Sequence, residues 1–416
     1  GGVQRWLKTT KYIREFGWEP IIFTPDNAEI AMYDESLFND IPDDIEVIRS
    51  PIWEPFSLYK KLLSKKDEKI NPGFLQKKKG NNFLQYFSIW IRGNFFIPDA
   101  KIFWKRLSFH KINSYLQDNK IDAIVSTGPP HTTHLIAQKV AKKHNLPWLA
   151  DFRDPWTNID FYYQLKLTFW ADKKHKRLEK KVLQDANQIV TVSKSWAKDF
   201  KRISGIDPIV INNGFDPSDF IDTVGLKLDK KFSITHVGSL NKDRNPFILW
   251  KVLSEIIHEN DDFSSDLHIK LIGPIDVTVN EALEKKKVLS KTTLIESLPH
   301  KEVINYMMKS QILLLPLNDV PNIDGVIPGK MYEYFGAKRP VICIGKEDGD
   351  AAEIIYETKT GITVGFSDEK KLKQELLEMY NSYRNNNLHV DSKNYIKYSR
   401  RTLASKFANA LDAMID

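Results

Sequence analysis

The sequence predicts an α/β protein built from two doubly wound, mostly parallel sheets. Three observations carry that expectation. The apolar run at 312–317 is short enough to be a buried parallel strand, and residues 232–237 and 267–272 read as strands of similar length. They alternate with amphipathic stretches, the rhythm of strand–helix crossovers. The rhythm also runs twice, on either side of the turn-rich Asn212-Asn213-Gly214-Phe215-Asp216-Pro217. A length of 416 residues suits two or more ordinary domains.

In chain order, residues 3–16 read as a helix stopped by Gly17, followed by strands at 20–23 and 45–48. Glycines just before a helix in such a domain normally follow a strand. A first strand is therefore expected upstream of Gly1, with an interruption of the sheet beside Ile21 and Ile124 and with Gly1 at its carboxyl edge. Residues 121–126 form a strand, Thr127-Gly128-Pro129-Pro130 a turn, and 131–144 a helix opened by His131. The strand at 147–152 ends in Arg153-Asp154-Pro155-Trp156. A long charged helix, a strand at 188–192 and a helix at 194–203 lead into the linker. In the second half, strands at 232–237, 267–272, 294–296, 312–317, 341–344 and 361–364 alternate with helices, the final one over 395–415. The expected domains are 1–213 and 214–394, two Rossmann-like halves facing a cleft, with 395–416 packing back on the first. Such a cleft is the default place for a ligand.

Composition is that of a globular protein, with no apolar run long enough to span a bilayer. The single cysteine, Cys343, excludes a disulfide framework and fits a reducing, cytoplasmic setting. The net charge of +7 is unevenly placed, because residues 56–110 hold 12 Lys/Arg against 3 Asp/Glu. The same stretch holds 12 aromatics, among them Phe83, Tyr86, Phe87, Trp90, Phe95, Phe96, Phe103 and Trp104. Lysines 60, 61, 65, 66 and 77–79 interleaved with aromatics suit an anionic membrane surface. The same pattern serves single-stranded nucleic acid, or a helical insertion whose aromatics are core.

The most informative stretch is Gly325-Val326-Ile327-Pro328-Gly329-Lys330-Met331-Tyr332-Glu333-Tyr334-Phe335-Gly336, between two predicted strands. Pro328 suits a first helical position, and Gly336 with Arg339-Pro340 closes the helix. A helix that follows a strand aims its free N–H groups at the sheet's carboxyl edge, where a diphosphate can be held. Lys330 and Glu333, three apart, share one helix face. Glu333 lies about 5 Å inside the helix, at the reach of a ribose diol. An ionised carboxylate accepts two hydroxyl hydrogen bonds without a metal. A solvated Lys–Glu pair on a surface helix is the competing reading.

These residues resemble the retaining glycosyltransferases of the GT-B fold, in particular glycosyltransferase family four, over nearly the whole chain. The resemblance rests on Pro328-Gly329-Lys330-Met331-Tyr332-Glu333-Tyr334 with Pro340-Val341, on Gly238-Ser239-Leu240 with Arg244, on Asn213-Gly214-Phe215-Asp216, on Thr191-Val192-Ser193 and on Gly1-Gly2-Val3-Gln4-Arg5. It implies transfer of a sugar from a nucleoside diphosphate sugar to an acceptor of cell-surface polysaccharide or glycolipid assembly. It also implies donor nucleotide contacts from Gly2, Gly238, Ser239, Leu298, Gly329 and Glu333, and catalytic roles for His131, Arg244 and Lys330. Arg244 and Lys330 lie at predicted strand carboxyl ends and can neutralise the departing diphosphate in place of a metal. His131 is either a contact to sugar or acceptor or a structural histidine; His134 opens the same helix. Asp151, Arg153 and Asp154 suit an acceptor site, a helix cap or an internal ion pair equally well.

The family often carries a second glutamate eight residues before Glu333, and Gly325 stands there; Asp324 is its nearest carboxylate. Asp348-Gly349-Asp350 matches a short metal-chelating pattern of the other major glycosyltransferase fold, but acidic capping of the helix at 351–356 explains it better. No metal and no cofactor are expected. The expected partners are a nucleotide-sugar, a glycan or lipid-linked acceptor and an anionic membrane surface, without nucleic acid. Two alternatives stand beside this reading. A nucleotide-sugar 2-epimerase of the same architecture needs an acid/base set that these residues do not assemble. A non-catalytic membrane or nucleic-acid binder would be built around 56–110.

Overall fold

The computed structural model describes residues 2–28, 38, 40–53, 82–223 and 226–415. They form two compact units, one of residues 3–8 with 213–403 and the other of residues 9–212 with 404–416. Gly1 and the lysines at 60, 61, 65, 66 and 77–79 lie outside the described residues, as does the side chain of Phe83.

The unit of residues 9–212 holds two parallel sheets. β1 (Ile21–Pro25) pairs with β2 (Glu46–Ser50), Phe23 opposite Ile48. β3 (Ile124–Gly128), β4 (Trp148–Phe152), β5 (Gln188–Thr191) and β6 (Ile209–Val210) form the other, in that order. Among the described residues no ladder joins β1 to β3, so this half has two sheets, divided between Ile21 and Ile124. Ile52, Trp104, Phe109, Ile136 and Val140 form a core cluster against which Phe23 and Ile124 pack. Trp104 is thus a core residue, its indole N–H donating to Ser50 Oγ at 2.9 Å. The helix Arg400–Ile415 returns to this unit, where Trp18 Nε1 donates to Asp412 Oδ1 at 2.8 Å.

The other unit carries β7 (Phe232–Val237), β8 (Leu267–Ile272), β9 (Thr292–Ile295), β10 (Ile312–Pro316), β11 (Val341–Ile344) and β12 (Gly361–Val364). Its order is β9-β8-β7-β10-β11-β12, which is 3-2-1-4-5-6 within the unit. Helices cover both faces, so successive strand residues enter different cores. Ile312 and Leu314 join one cluster with Ile342 and Ile344, while Leu313 and Leu315 join the other with Val341 and Cys343. This is why the strands read as unbroken apolar runs. Each fully buried aliphatic side chain contributes about 1.5–3 kcal/mol. The order reverses between β7 and β10, and ligands of such sheets sit outside the strand carboxyl ends at that switch point.

The linker is fastened to this sheet's unit. Phe215 N–H donates to Tyr398 O, and Arg400 N–H donates to Phe215 O at 2.8 Å. A Cβ at Gly214 would stand 2.1 Å from Tyr398 O, so glycine is required for this close approach. Asp216 and Asp219 both pair with Lys8 Nζ, at 2.9 and 2.8 Å, and Lys8 and Asp216 are almost wholly buried.

Of two expectations about helix ends one is met and one needs correction. The helix ends at Gly336 as expected, and Lys338, two residues on, takes the left-handed conformation at φ 55°. A Cβ at Gly336 would lie 2.4 Å from the Phe220 ring, so its role is packing. Asp348 and Asp350 do not cap: Gly349 holds the cap position of Asp350–Thr358 without a side-chain bond, because Asp348 turns outward 3.5 Å from Lys346.

The Lys8 pairs give the first prediction. Lys8→Ala removes the ammonium from a buried Asp216 carboxylate that also accepts from Ser218 N–H, and should cost about 3–5 kcal/mol in denaturant unfolding. Arg14→Ala, at an exposed pair with Glu19 and Asp44, should change stability by at most about 1 kcal/mol. Equal losses in the two variants would show that burial does not set the value of these pairs.

Candidate functional site

At the switch point the chain brings together most of the residues expected to hold a nucleotide. β7 ends in Gly238-Ser239, and Gly238 adopts φ 101°, a conformation that favours glycine. A Cβ there would stand 2.7 Å from Lys330 Nζ, so the absence of a side chain is what lets the ammonium lie over this loop. The next loop, at Gly273 with φ 117°, packs its Cα against Gly238 O. Arg244 follows in a short turn capped by Asn241, and its Nε donates to Asn318 Oδ1 at 3.0 Å, just beyond β10.

The helix Lys330–Gly336 starts after β10, with Gly329 as its cap. Pro328 thus stands one residue before the cap instead of inside the helix. A Cβ on Gly329 would meet nothing within 4 Å, so the approach to the helix start is open. Tyr334 fixes the helix to the switch point: Val237 N–H donates to its hydroxyl at 3.1 Å, and the hydroxyl donates to Leu314 O at 3.2 Å. Lys330 Nζ lies 3.5 Å from His236 Nε2. Burial, then the charge of Arg244, lowers the Lys330 ammonium to about 7 against the pull of Glu333. The charge of Arg244 acts on Lys330 against that of Glu333, so two cations and one carboxylate gather at this sheet edge.

Glu333 lies one turn further along and accepts from His300 Nε2 at 3.3 Å. Burial raises its carboxyl, but the His300 hydrogen bond and charge, helped by Arg400, bring it net below the ordinary range. Reciprocally, the bond to Glu333 raises His300 against its burial. Leu298 packs on the core just before the His300 helix. Gly2 opens the helix Gly2–Ile13. Asp324 is exposed and paired with Lys346 Nζ at 2.5 Å, so its carboxylate is engaged at the surface.

The second group of predicted residues gathers at the carboxyl ends of β3 and β4 in the other unit. Arg153 donates from its backbone N–H and Nε to Gly128 O, at 3.0 and 3.3 Å, and from its guanidinium to Pro129 O. Asp151 accepts from Thr127 Oγ1 at 2.9 Å. Asp154 is half-buried, and burial raises its carboxyl. His131 does not cap its helix; Asp99 does, accepting from Thr132 N–H at 2.9 Å and Thr132 Oγ1 at 2.8 Å. The His131 ring is buried and stacked on Trp156, centroids 4.9 Å apart. Burial holds it far below the usual histidine range, and it lowers His134 to about 3. Both rings are therefore neutral. His131 Nδ1 and His134 Nε2 lack partners among the described residues, and both face Gly128, whose added Cβ would lie 2.9 and 2.5 Å from them.

Sequence alone misses the groups that hold these side chains. His236, His300, Asp99, His175 and Glu179 were not singled out by any motif. Glu179 accepts from Trp156 N–H and Thr157 N–H at 3.2 Å, and Trp156 Nε1 donates to His175 Nδ1 at 3.0 Å. Trp156 is thereby locked beneath His131.

Tyr334→Phe keeps the ring and leaves the Val237 N–H and one Leu314 acceptor site unsatisfied. It should destabilise the protein by about 1–3 kcal/mol in chemical denaturation. No loss would show that the hydroxyl does not anchor the helix.

Residues 78–219 match the family model Glycosyltransferase Family 4, and residues 231–382 match Glycosyl transferases group 1. A comparison with curated proteins gave no match. Among solved structures, a glycosyltransferase from Rickettsia africae ESF-5 is 16% identical, with a TM-score of 0.63, over 100% of this chain and 96% of that one. WaaG, a glycosyltransferase involved in lipopolysaccharide biosynthesis, is 12% identical with a TM-score of 0.53, over 100% and 96%. HepE of Anabaena in complex with UDP-glucose is 12% identical with a TM-score of 0.52, over 73% and 82%. These likenesses establish the fold, and the two family models take in well over half the chain. The chain belongs to the GT-B glycosyltransferases, in the group that unites Glycosyltransferase Family 4 with Glycosyl transferases group 1.

Proposed function

We propose that this glycosyltransferase takes a sugar from a nucleoside diphosphate sugar, retains the anomeric configuration and needs no metal. The observation that carries the reading is the pairing of Lys330 and Arg244 at the switch point, with Glu333 one turn inside the helix. The diphosphate lies against the two cations, and the ribose diol replaces or joins His300 at Glu333. The bond from the anomeric carbon to the diphosphate oxygen breaks and its electron pair leaves with the nucleoside diphosphate. The acceptor oxygen bonds the same carbon on the leaving-group face, passing its proton toward the departing phosphate oxygen. Lys330 and Arg244 stabilise the charge that grows there. His131, neutral on Trp156, offers a hydrogen-bonding edge to sugar or acceptor; Asp151, Arg153 and Asp154 shape the acceptor side.

A surface-polysaccharide or glycolipid acceptor is supported by the likeness to WaaG and by one surface. Helix Asn82–Phe95 is tied to the following segment through Asn94, which accepts from Thr168 N–H at 2.7 Å and donates to Lys166 O at 3.3 Å. Phe95, Tyr163, Phe169 and Trp170 on these two segments are 69, 67, 70 and 75% exposed. Lys173 lies 6.0 Å from the Phe169 ring centre. Exposed aromatics beside cations suit the interfacial zone of an anionic bilayer. No helix among the described residues is long and apolar enough to cross a membrane, and the proposed attachment is a peripheral one at a cytoplasmic membrane face.

A panel of donors, assayed by release of nucleoside diphosphate, tests the activity. Lys330→Ala and Arg244→Ala should each lower turnover about 100-fold, with Asp350→Ala and excess chelator nearly without effect. Glu333→Ala should weaken nucleoside diphosphate binding by about 2–3 kcal/mol. Activity abolished by chelator and restored by manganese would reverse the metal-independent assignment. Flotation with anionic vesicles should weaken in salt and in Trp170→Ala; flotation indifferent to both would remove the membrane surface from the account.

A further inference from the structure

His236 sits in the middle of β7, fully buried, where an apolar residue would be ordinary. Its Nδ1 lies 3.0 Å from Leu314 O on the neighbouring strand. A carbonyl only accepts, so Nδ1 carries the hydrogen and Nε2 presents a bare lone pair. That lone pair faces Lys330 Nζ at 3.5 Å, above the side-chain-free Gly238. Leu314 O also accepts from Tyr334, so one carbonyl orients both the imidazole and the helix that carries the lysine.

The charged groups that face this pair are Arg244, beyond β7, and Glu333, on the lysine's own helix. Burial, then Lys330 itself, keeps the imidazole far below its usual range, and hence neutral. A carboxylate at this position would neutralise the ammonium before an anion arrived and would repel that anion. An aliphatic residue would leave the ammonium with no acceptor. A neutral imidazole with one fixed tautomer orients the cation and leaves its charge available.

We propose that His236 is a positioning residue, its Nε2 holding the Lys330 ammonium over Gly238 so that the charge is already placed when a nucleoside diphosphate enters. The inference rests on the donor reading above and adds to it a residue that never touches substrate. It also sets the pH range of binding, because Nε2 accepts a stronger, charge-assisted hydrogen bond from the ammonium than from the neutral amine and so favours the ammonium.

Two substitutions separate the tether from mere packing. His236→Asn keeps an N–H where Nδ1 stands and loses the acceptor; His236→Gln can return an amide oxygen near the Nε2 position. Binding of UDP, GDP and ADP is measured by calorimetry between about pH 6 and 9, with the melting temperature as a check on folding. His236→Asn should bind the preferred nucleotide about tenfold more weakly, its affinity fading at lower pH than in the wild type, and His236→Gln should recover most of both losses. Wild-type affinity and an unshifted pH midpoint in His236→Asn would overturn the tether while leaving the donor site intact. Equal weakening in both variants with an unshifted midpoint would also overturn it, in favour of packing. Failure of the wild type to bind any of the three would overturn the donor reading and the tether together.

Discussion

The carbonyl of Leu314 is the point on which the switch-point residues of the six-stranded sheet depend. It lies inside β10 and accepts from the His236 imidazole on β7 and from the Tyr334 hydroxyl on the following helix. Two strands and a helix are thus indexed to one acceptor, at the place where the sheet order reverses. The short helix needs such fastening. With only seven residues, its backbone dipole is modest, and the site's attraction for an anion comes chiefly from Lys330 and Arg244. Lys330 stands beside the His236 imidazole, and Arg244 Nε donates to the Asn318 amide oxygen.

The other unit solves a different problem with related chemistry. Its histidines are kept neutral by burial and stacking, Trp156 against His131 and Phe152 against His134. Trp156 is held by His175 and by the buried Glu179, and Arg153 clamps the carbonyls of the Gly128–Pro129 turn. The carboxyl ends of β3 and β4 thus carry two neutral histidine edges beside the Arg153 guanidinium.

Much of this is legible in the residues. Strands β7, β8 and β12 fall at 232–237, 267–272 and 361–364 as read from their β-branched and apolar residues. Lys330, Glu333 and Arg244 are legible because helical spacing and strand ends are local properties. The supporting residues are not, because their partners are distant in sequence. Asp99 caps a helix that begins 33 residues later, and Glu179 and His175 are hidden in a run of lysines where a solvated face is the natural reading. His236 does leave a trace, a histidine within an otherwise strand-like Phe-Ser-Ile-Thr-His-Val, but only the tertiary structure supplies Leu314 and Lys330. The helix stop at Gly336 is legible, but the need for a glycine there is not: an added Cβ would meet Phe220 and Phe215.

An ammonium lowered to about 7 by burial and Arg244, and then covered by a diphosphate, must gain protons on binding. Calorimetry of UDP, GDP or ADP binding in buffers of differing ionisation enthalpy measures that gain directly. Near pH 7.5 uptake of a fraction of a proton per bound nucleotide is expected, vanishing in Lys330→Met. Tight binding with no proton uptake, or uptake that survives Lys330→Met, would contradict the claim that an unneutralised lysine at the switch point receives the donor's phosphates.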